Sequence, residues 1–175
     1  MCRYGLAIFR PRYYGRLEFW RGAELLAETI RVHGTAIVID GDGVLLRGPS
    51  GSGKSDLALR LIDSGTAILV TDDQTEIHVQ GGALMMTAPT AIAGQMEVRG
   101  IGIIPVQTVP SAPLRLILDL VKPEQIDRLP EPKTETVLGH EVPVLALTPF
   151  EASAPAKVRA ALQCLSIAYH AEAAE

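Results

Sequence analysis

The sequence predicts an α/β domain: a mixed, strand-rich sheet with one helix behind a glycine-rich loop and a second helix at the C-terminus. Three observations predict it. The stretch GVLLRGPSGSGKSDLALRLIDSG runs from a β-type segment through a glycine-rich loop into an amphipathic helical segment. Short β-branched and leucine-rich runs recur on both sides of it, punctuated by Asp-Gly and Gly-Gly turns. The tail APAKVRAALQCLSIAYHAEA changes to helical spacing.

Residues 1–31 are aromatic and Arg-rich, and the spacing permits a helix over RGAELLAETIR. They read as an N-terminal extension with no assigned chemistry, and residues 32–175 as the folded domain. From His33, GTAIVIDGDGVLLRG is two runs joined by Asp-Gly-Asp-Gly, a hairpin signal. Behind the glycine-rich loop, Leu57, Ala58, Leu61 and Ile62 form one helical face, and Gly65 is placed to end the helix. TAILV is a buried strand ending at Asp72-Asp73, and TEIHVQ with ALMMTAP makes a second hairpin across Gly81-Gly82. PLRLILDLV reads as a strand buried on both faces, followed by the strand pair TETVLG and HEVPVLAL. The C-terminal helix puts Val158, Ala161, Leu162, Leu165 and Tyr169 on one side.

Composition narrows the class. A chain of 175 residues with 47% apolar and 21% charged residues fits one soluble globular domain. Its net charge of −4 does not point to a binder that works through the nucleic-acid backbone, although residues 1–31 hold six Arg against three Glu. Cys2 and Cys164 stand far apart with no CxxC or His-rich partner, so neither a disulfide framework nor zinc is indicated. No apolar run approaches the ~18 residues of a membrane span. No signal-peptide core is present either, and a cytoplasmic location is expected.

Gly48-Pro49-Ser50-Gly51-Ser52-Gly53-Lys54-Ser55 satisfies G-x-x-x-x-G-K-[ST] at every position. Glycines allow consecutive N–H groups to turn toward an anion, and the following helix adds its positive N-terminal end. Lys54 can then reach β- and γ-phosphate oxygens, and the Ser55 hydroxyl can ligate Mg²⁺. The expectation is a bound nucleoside triphosphate. Asp72-Asp73 supplies the second requirement, carboxylates at a neighbouring strand end. One can serve the metal shell while the other accepts a proton from an incoming hydroxyl. Further on, Glu97-x-Arg99 places two charged side chains on one face of an extended segment.

These stretches together resemble the catalytic domain of bacterial HPr kinase/phosphorylase, the serine kinase of the phosphotransferase-system carrier HPr. The resemblance covers roughly residues 31–147 and is to short forms without the usual N-terminal domain. It rests on His33 ahead of the P-loop, on the Asp pair in VTDDQTEI, on MEVRGIGIIPV, which is similar to the signature E-I-R-G-L-G-I-I, and on Arg128 in IDRLP. VLGHEVPVLAL is similar to the family's I-L-G-x-x-V-P segment.

The resemblance implies a P-loop kinase fold and a Mg-ATP-dependent serine kinase acting on HPr or an HPr-like carrier. It implies Asp72 as the base, Asp73 in metal or lysine contact, and Glu97 with Ser55 as Mg²⁺ ligands. It further implies His33, Arg99 and Arg128 as catalytic residues beside Lys54. The family's P-G-R-N turn, associated with the reverse reaction, is replaced here by LTPFEASAPAKVRAAL, which leaves phosphorylase activity doubtful. Two alternatives stand beside this reading: a kinase for a small hydroxylated metabolite, and a non-catalytic ATP-binding regulator. A homo-oligomer is left open, and no nucleic-acid or membrane partner is expected.

Overall fold

The computed structural model describes the backbone of residues 28–172 and the side chains of residues 28–165. Strands β1 (Thr29–Ile39) and β2 (Asp42–Arg47) pair antiparallel, with Gly34 opposite Arg47 and Ile39 opposite Asp42. Asp40 and Gly41 close this hairpin with φ of 51° and 90°, the positive values that a two-residue turn demands. The glycine-rich loop then leads into α1 (Lys54–Asp63), and β3 (Ile68–Thr71) returns antiparallel beside β1. Strands β4 (Gln74–Gln80) and β5 (Ala83–Thr87) form the second expected hairpin. A separate two-stranded sheet comprises β6 (Gln95–Val98) and β7 (Gly102–Pro105). The chain continues through β8 (Ser111–Leu120), β9 (Lys133–Val137), β10 (His140–Leu147) and α2 (Ala154–Glu172).

Two expectations need correction. The helix permitted over RGAELLAETIR does not extend to its end, because Thr29–Arg31 open β1. There Thr29, Ile30 and Arg31 pair with His78, Ile77 and Glu76, so cross-strand contacts override the helical spacing. Residues 21–27 of that segment, Cys2 and the Tyr169 side chain lie outside the described residues. The extended segment expected over Glu97-x-Arg99 stops one residue short, because β6 ends at Val98. The chain reverses at Arg99-Gly100-Ile101, where Gly100 has φ 84° and the Ile101 N–H donates to the Val98 carbonyl at 2.9 Å.

The main sheet is mixed. β2 runs parallel to β8 and β8 parallel to β10, whereas β1, β3, β4, β5 and β9 join antiparallel neighbours. Pairing of Arg47 with Asp119, of Leu147 with Leu120 and of Ala36 with Thr71 brings the carboxyl ends of β2, β8, β10 and β3 to one edge. Sheets of this kind bind ligands outside those ends.

Alternation along the strands divides the core into two layers. Val44 and Leu46 of β2 and Leu116, Leu118 and Leu120 of β8 pack toward Leu57, Ala58 and Leu61 of α1 and Ala154, Val158 and Leu162 of α2. Leu45, Ile117, Ile77, Leu84, Met86 and Val144 fill the opposite face. Leu116, Ile117 and Leu118 are all buried, the expected signature of a strand covered on both sides. Among the described residues, no helix is long and apolar enough to cross a membrane.

Candidate active site

The loop Gly48–Gly53 leaves the end of β2 at the edge where the strand termini gather. Gly53 is the N-cap of α1 with φ 92°, a left-handed conformation that strains any other L-residue. It offers no capping side chain, so the N–H groups of the first helical turn remain available to an anion. The Lys54 ammonium donates to the carbonyls of Gly48 at 2.9 Å and Pro49 at 3.1 Å. Burial pushes Lys54 below the ordinary lysine value, opposed by the charges of Asp73 and then Asp72.

Arg47, directly ahead of the loop, is held from the side. Its guanidinium donates to both carboxylate oxygens of Asp119 at 2.9 and 3.2 Å, and to both of Glu135 at 2.8 Å. These bonds raise the Arg47 pKa and hold the Glu135 carboxyl below the usual carboxylate range. The last residue of β2 is thereby tied to β8 and β9.

The two aspartates have unlike surroundings. Asp72 is 6% exposed. Its Oδ1 accepts from the Thr35 hydroxyl at 2.7 Å and the Ser55 hydroxyl at 2.9 Å, and its Oδ2 accepts from the Glu97 N–H at 3.3 Å. Asp73 has a side chain 68% exposed, with His33 Nδ1 3.2 Å from its Oδ1. Its φ is 67°, and the Gln74 N–H donates to the Asp72 carbonyl at 2.8 Å across it, a tight γ-turn. Such backbone strain persists where neighbours impose it. Here the Gly34 N–H bonds the Asp73 carbonyl at 2.9 Å.

A cleft of about 360 Å³ collects most of the expected residues. Ser50, Gly51, Gly53, Lys54 and Ser55 line it from the loop and helix start. His33, Asp72, Asp73, Glu97 and Arg99 line it from β1, the β3 terminus and the β6–β7 hairpin. Met96 is 1% exposed in the α1-side core, so it anchors the hairpin while Glu97, next along the strand, faces the cleft. Gly48, Pro49 and Ser52 complete the loop without lining the cleft. The structure does not bring Arg128 there; it lies exposed between the turn at Pro123–Gln125 and β9.

Sequence reasoning missed Thr35 and Phe150. Thr35 is two residues beyond His33 on a strand, hence on the same face, a signal the pattern offered. Phe150 lines the cleft from the segment between β10 and α2, and nothing local announces it. Among the described residues, no three His, Cys, Asp or Glu side chains gather as a metal cluster. Ser55 nevertheless bonds Asp72 through its hydroxyl and Glu97 bonds it through its backbone N–H, and the three residues line one cleft with oxygen-bearing side chains. Mg²⁺ takes oxygen ligands of this kind, with one or two carboxylates supplemented by phosphate oxygens and water.

Fold and site define an α/β P-loop domain of the kinase type. A family model, the HPr serine kinase C-terminal domain, matches residues 24–158, and the chain belongs to that family. An HPr kinase/phosphorylase of Clostridium botulinum is 45% identical over 84 residues, covering 48% of this chain and 27% of the relative. That of Limosilactobacillus reuteri is 38% identical over 136 residues, covering 71% of this chain and 42% of the relative. The chain thus spans less than half the length of these curated relatives. The HPr(Ser) kinase/phosphatase structure from Coxiella burnetii matches with TM-score 0.73 and 29% identity, covering 83% of this chain and 95% of that one.

Proposed function

We propose that this domain transfers the γ-phosphate of Mg-ATP to a serine of HPr or an HPr-like carrier in the cytoplasm. The observation that carries the reading is the division of labour within the Asp pair. A buried Asp72 is bonded to the P-loop Ser55, while an exposed, imidazole-paired Asp73 opens onto the same cleft. Family membership supports the protein acceptor.

In this reading the loop N–H groups and Lys54 hold the phosphate chain, and Ser55, Asp72 and Glu97 hold Mg²⁺. The metal supplies charge neutralisation on the β- and γ-phosphates. Asp73 takes the proton of the incoming serine, being the carboxylate that remains accessible. This reverses the order expected from the sequence, because three donors already occupy Asp72. His33 orients Asp73, and Arg99 on the hairpin faces charge developing on the transferred group. Arg128 receives no role in this chain's own cleft. Positioning and electrostatics supply the rate enhancement. The reverse reaction is expected to be weak, because the P-G-R-N turn is replaced.

The test is intact-mass analysis of HPr incubated with the protein and Mg-ATP, alongside Lys54→Ala and Asp73→Asn. One added phosphate on a serine, lost in both variants, supports the reading. A folded, ATP-binding protein that leaves HPr unmodified overturns it and directs the search to small hydroxyl acceptors or a non-catalytic role.

A further inference from the structure

Phe150 is a large aromatic side chain left 71% exposed on the rim of the cleft. Loose attachment does not explain that exposure. Arg60 of α1 donates to the carbonyl of Pro149 and, at 3.3 Å, to that of Glu151, and it pairs with Asp56 at 3.0 Å. Glu151 in turn accepts from Thr148 at 2.5 Å and Ser153 at 3.2 Å, and pairs with Lys157. The segment carrying the ring is therefore bonded to α1 and to α2.

The ring stands against the P-loop. Its Cε1 and Cζ lie 3.0 Å from where a Cβ on Gly53 would be, and Gly53 is the residue whose following N–H groups face an anion. A triphosphate seated on the helix start would carry its nucleoside toward the walls of this cleft, of which Phe150 is one. Phe150 is the only Phe, Tyr or Trp among the described residues lining that cleft. It sits on the loop after β10, a parallel strand whose carboxyl end shares the sheet edge with that of β2. A flat apolar ring held in place and exposed to water matches the face of a nucleobase.

We propose that Phe150 is the nucleobase platform of this site, so that recognition of the nucleoside runs through stacking. The proposal rests on the nucleotide-binding reading above and extends it to the class of base. Stacking accepts any base with a π-face, so adenine and guanine nucleotides bind with similar affinity.

Equilibrium titration of the full chain, Phe150→Ala and Phe150→Trp with Mg-ATP, Mg-GTP and Mg-tripolyphosphate tests this, with sedimentation in parallel. The expected result is a loss of about 5- to 100-fold in ATP and GTP affinity for the alanine variant. Tripolyphosphate affinity should stay unchanged, and Phe150→Trp should restore nucleotide binding. A parallel loss of ATP and tripolyphosphate would mean that the ring only props Gly53, and overturns the proposal. So does an unchanged ATP affinity, with or without an altered oligomeric state. Wild-type protein that binds tripolyphosphate as tightly as ATP overturns the platform alone and leaves the P-loop reading standing. Wild-type protein that binds neither overturns both.

Discussion

His33 Nδ1 stands 3.2 Å from Asp73 Oδ1, which couples the middle of β1 to the strained turn that follows β3. Asp73 is thereby oriented yet open to solvent, while its neighbour Asp72 is enclosed by hydroxyl and N–H donors. The two carboxylates should separate cleanly on substitution. Asp73→Asn is expected to lower phosphoryl transfer by about 10²–10⁴-fold with Mg-ATP affinity retained. Asp72→Ala is expected to weaken Mg²⁺-dependent ATP binding and to cost about 1–3 kcal/mol of stability by leaving the buried Thr35 hydroxyl unpaired. Single-turnover transfer, nucleotide titration and urea unfolding of both variants decide this. The opposite pattern returns the base role to Asp72.

Lys54 attracts phosphate only when protonated, and burial favours its neutral form. ATP affinity should therefore fall as pH rises through a value below the ordinary lysine pKa of about 10.4. Bound phosphate opposes this by favouring the ammonium. Titration of ATP binding from neutral to alkaline pH reads the effect, and Lys54→Met should abolish that part of the pH dependence. A flat profile in the wild type speaks against the lysine contact.

Arg47 joins β2, β8 and β9 through Asp119 and Glu135 immediately ahead of the P-loop. Arg47→Met should destabilise the fold by about 1–3 kcal/mol, since two partly buried carboxylates lose their donors. The contribution also has a pH window. Glu135 is held below its ordinary value by Arg47, so its stabilisation is complete above the unfolded-state pKa of about 4.3 and fades as pH falls through the lower folded value. The stability gap between wild type and Arg47→Met should narrow in that acid range. Solvent access to Glu135 keeps the pH-dependent part small. A gap independent of pH would remove Glu135 from the account.

Gly43 marks where β2 crowds against β8 and β5. A Cβ there would fall 2.3 Å from the Pro113 carbonyl oxygen and 2.6 Å from Met86 Cε. The methionine can move but the backbone carbonyl cannot, so Gly43→Ala should cost about 1–3 kcal/mol or more. Gly41→Ala meets no atom within 4 Å and bears only the strain of its φ of 90°, about 1–2 kcal/mol. Urea midpoints of the two variants should rank in that order.

The local pattern of the sequence determined the P-loop, the helix behind it, the paired strands and the buried run of β8. Each depends on residues close in the chain: glycines ahead of Lys54, Asp-Gly at the first turn, the near-continuous apolar run in LRLILDL. Tertiary structure decided what those residues face. Asp72 and Asp73 are alike as letters, and only burial against Thr35 and Ser55 distinguishes them. Arg128 stands in a motif but outside the cleft, whereas Phe150 stands in no motif and inside it. Arg99, expected on the same extended face as Glu97, falls in the turn instead, because β6 ends at Val98 and the chain returns along it as β7. Burial, hydrogen-bond partners and the reach of a side chain come from segments distant in sequence, and those set the chemistry of a carboxylate or a ring.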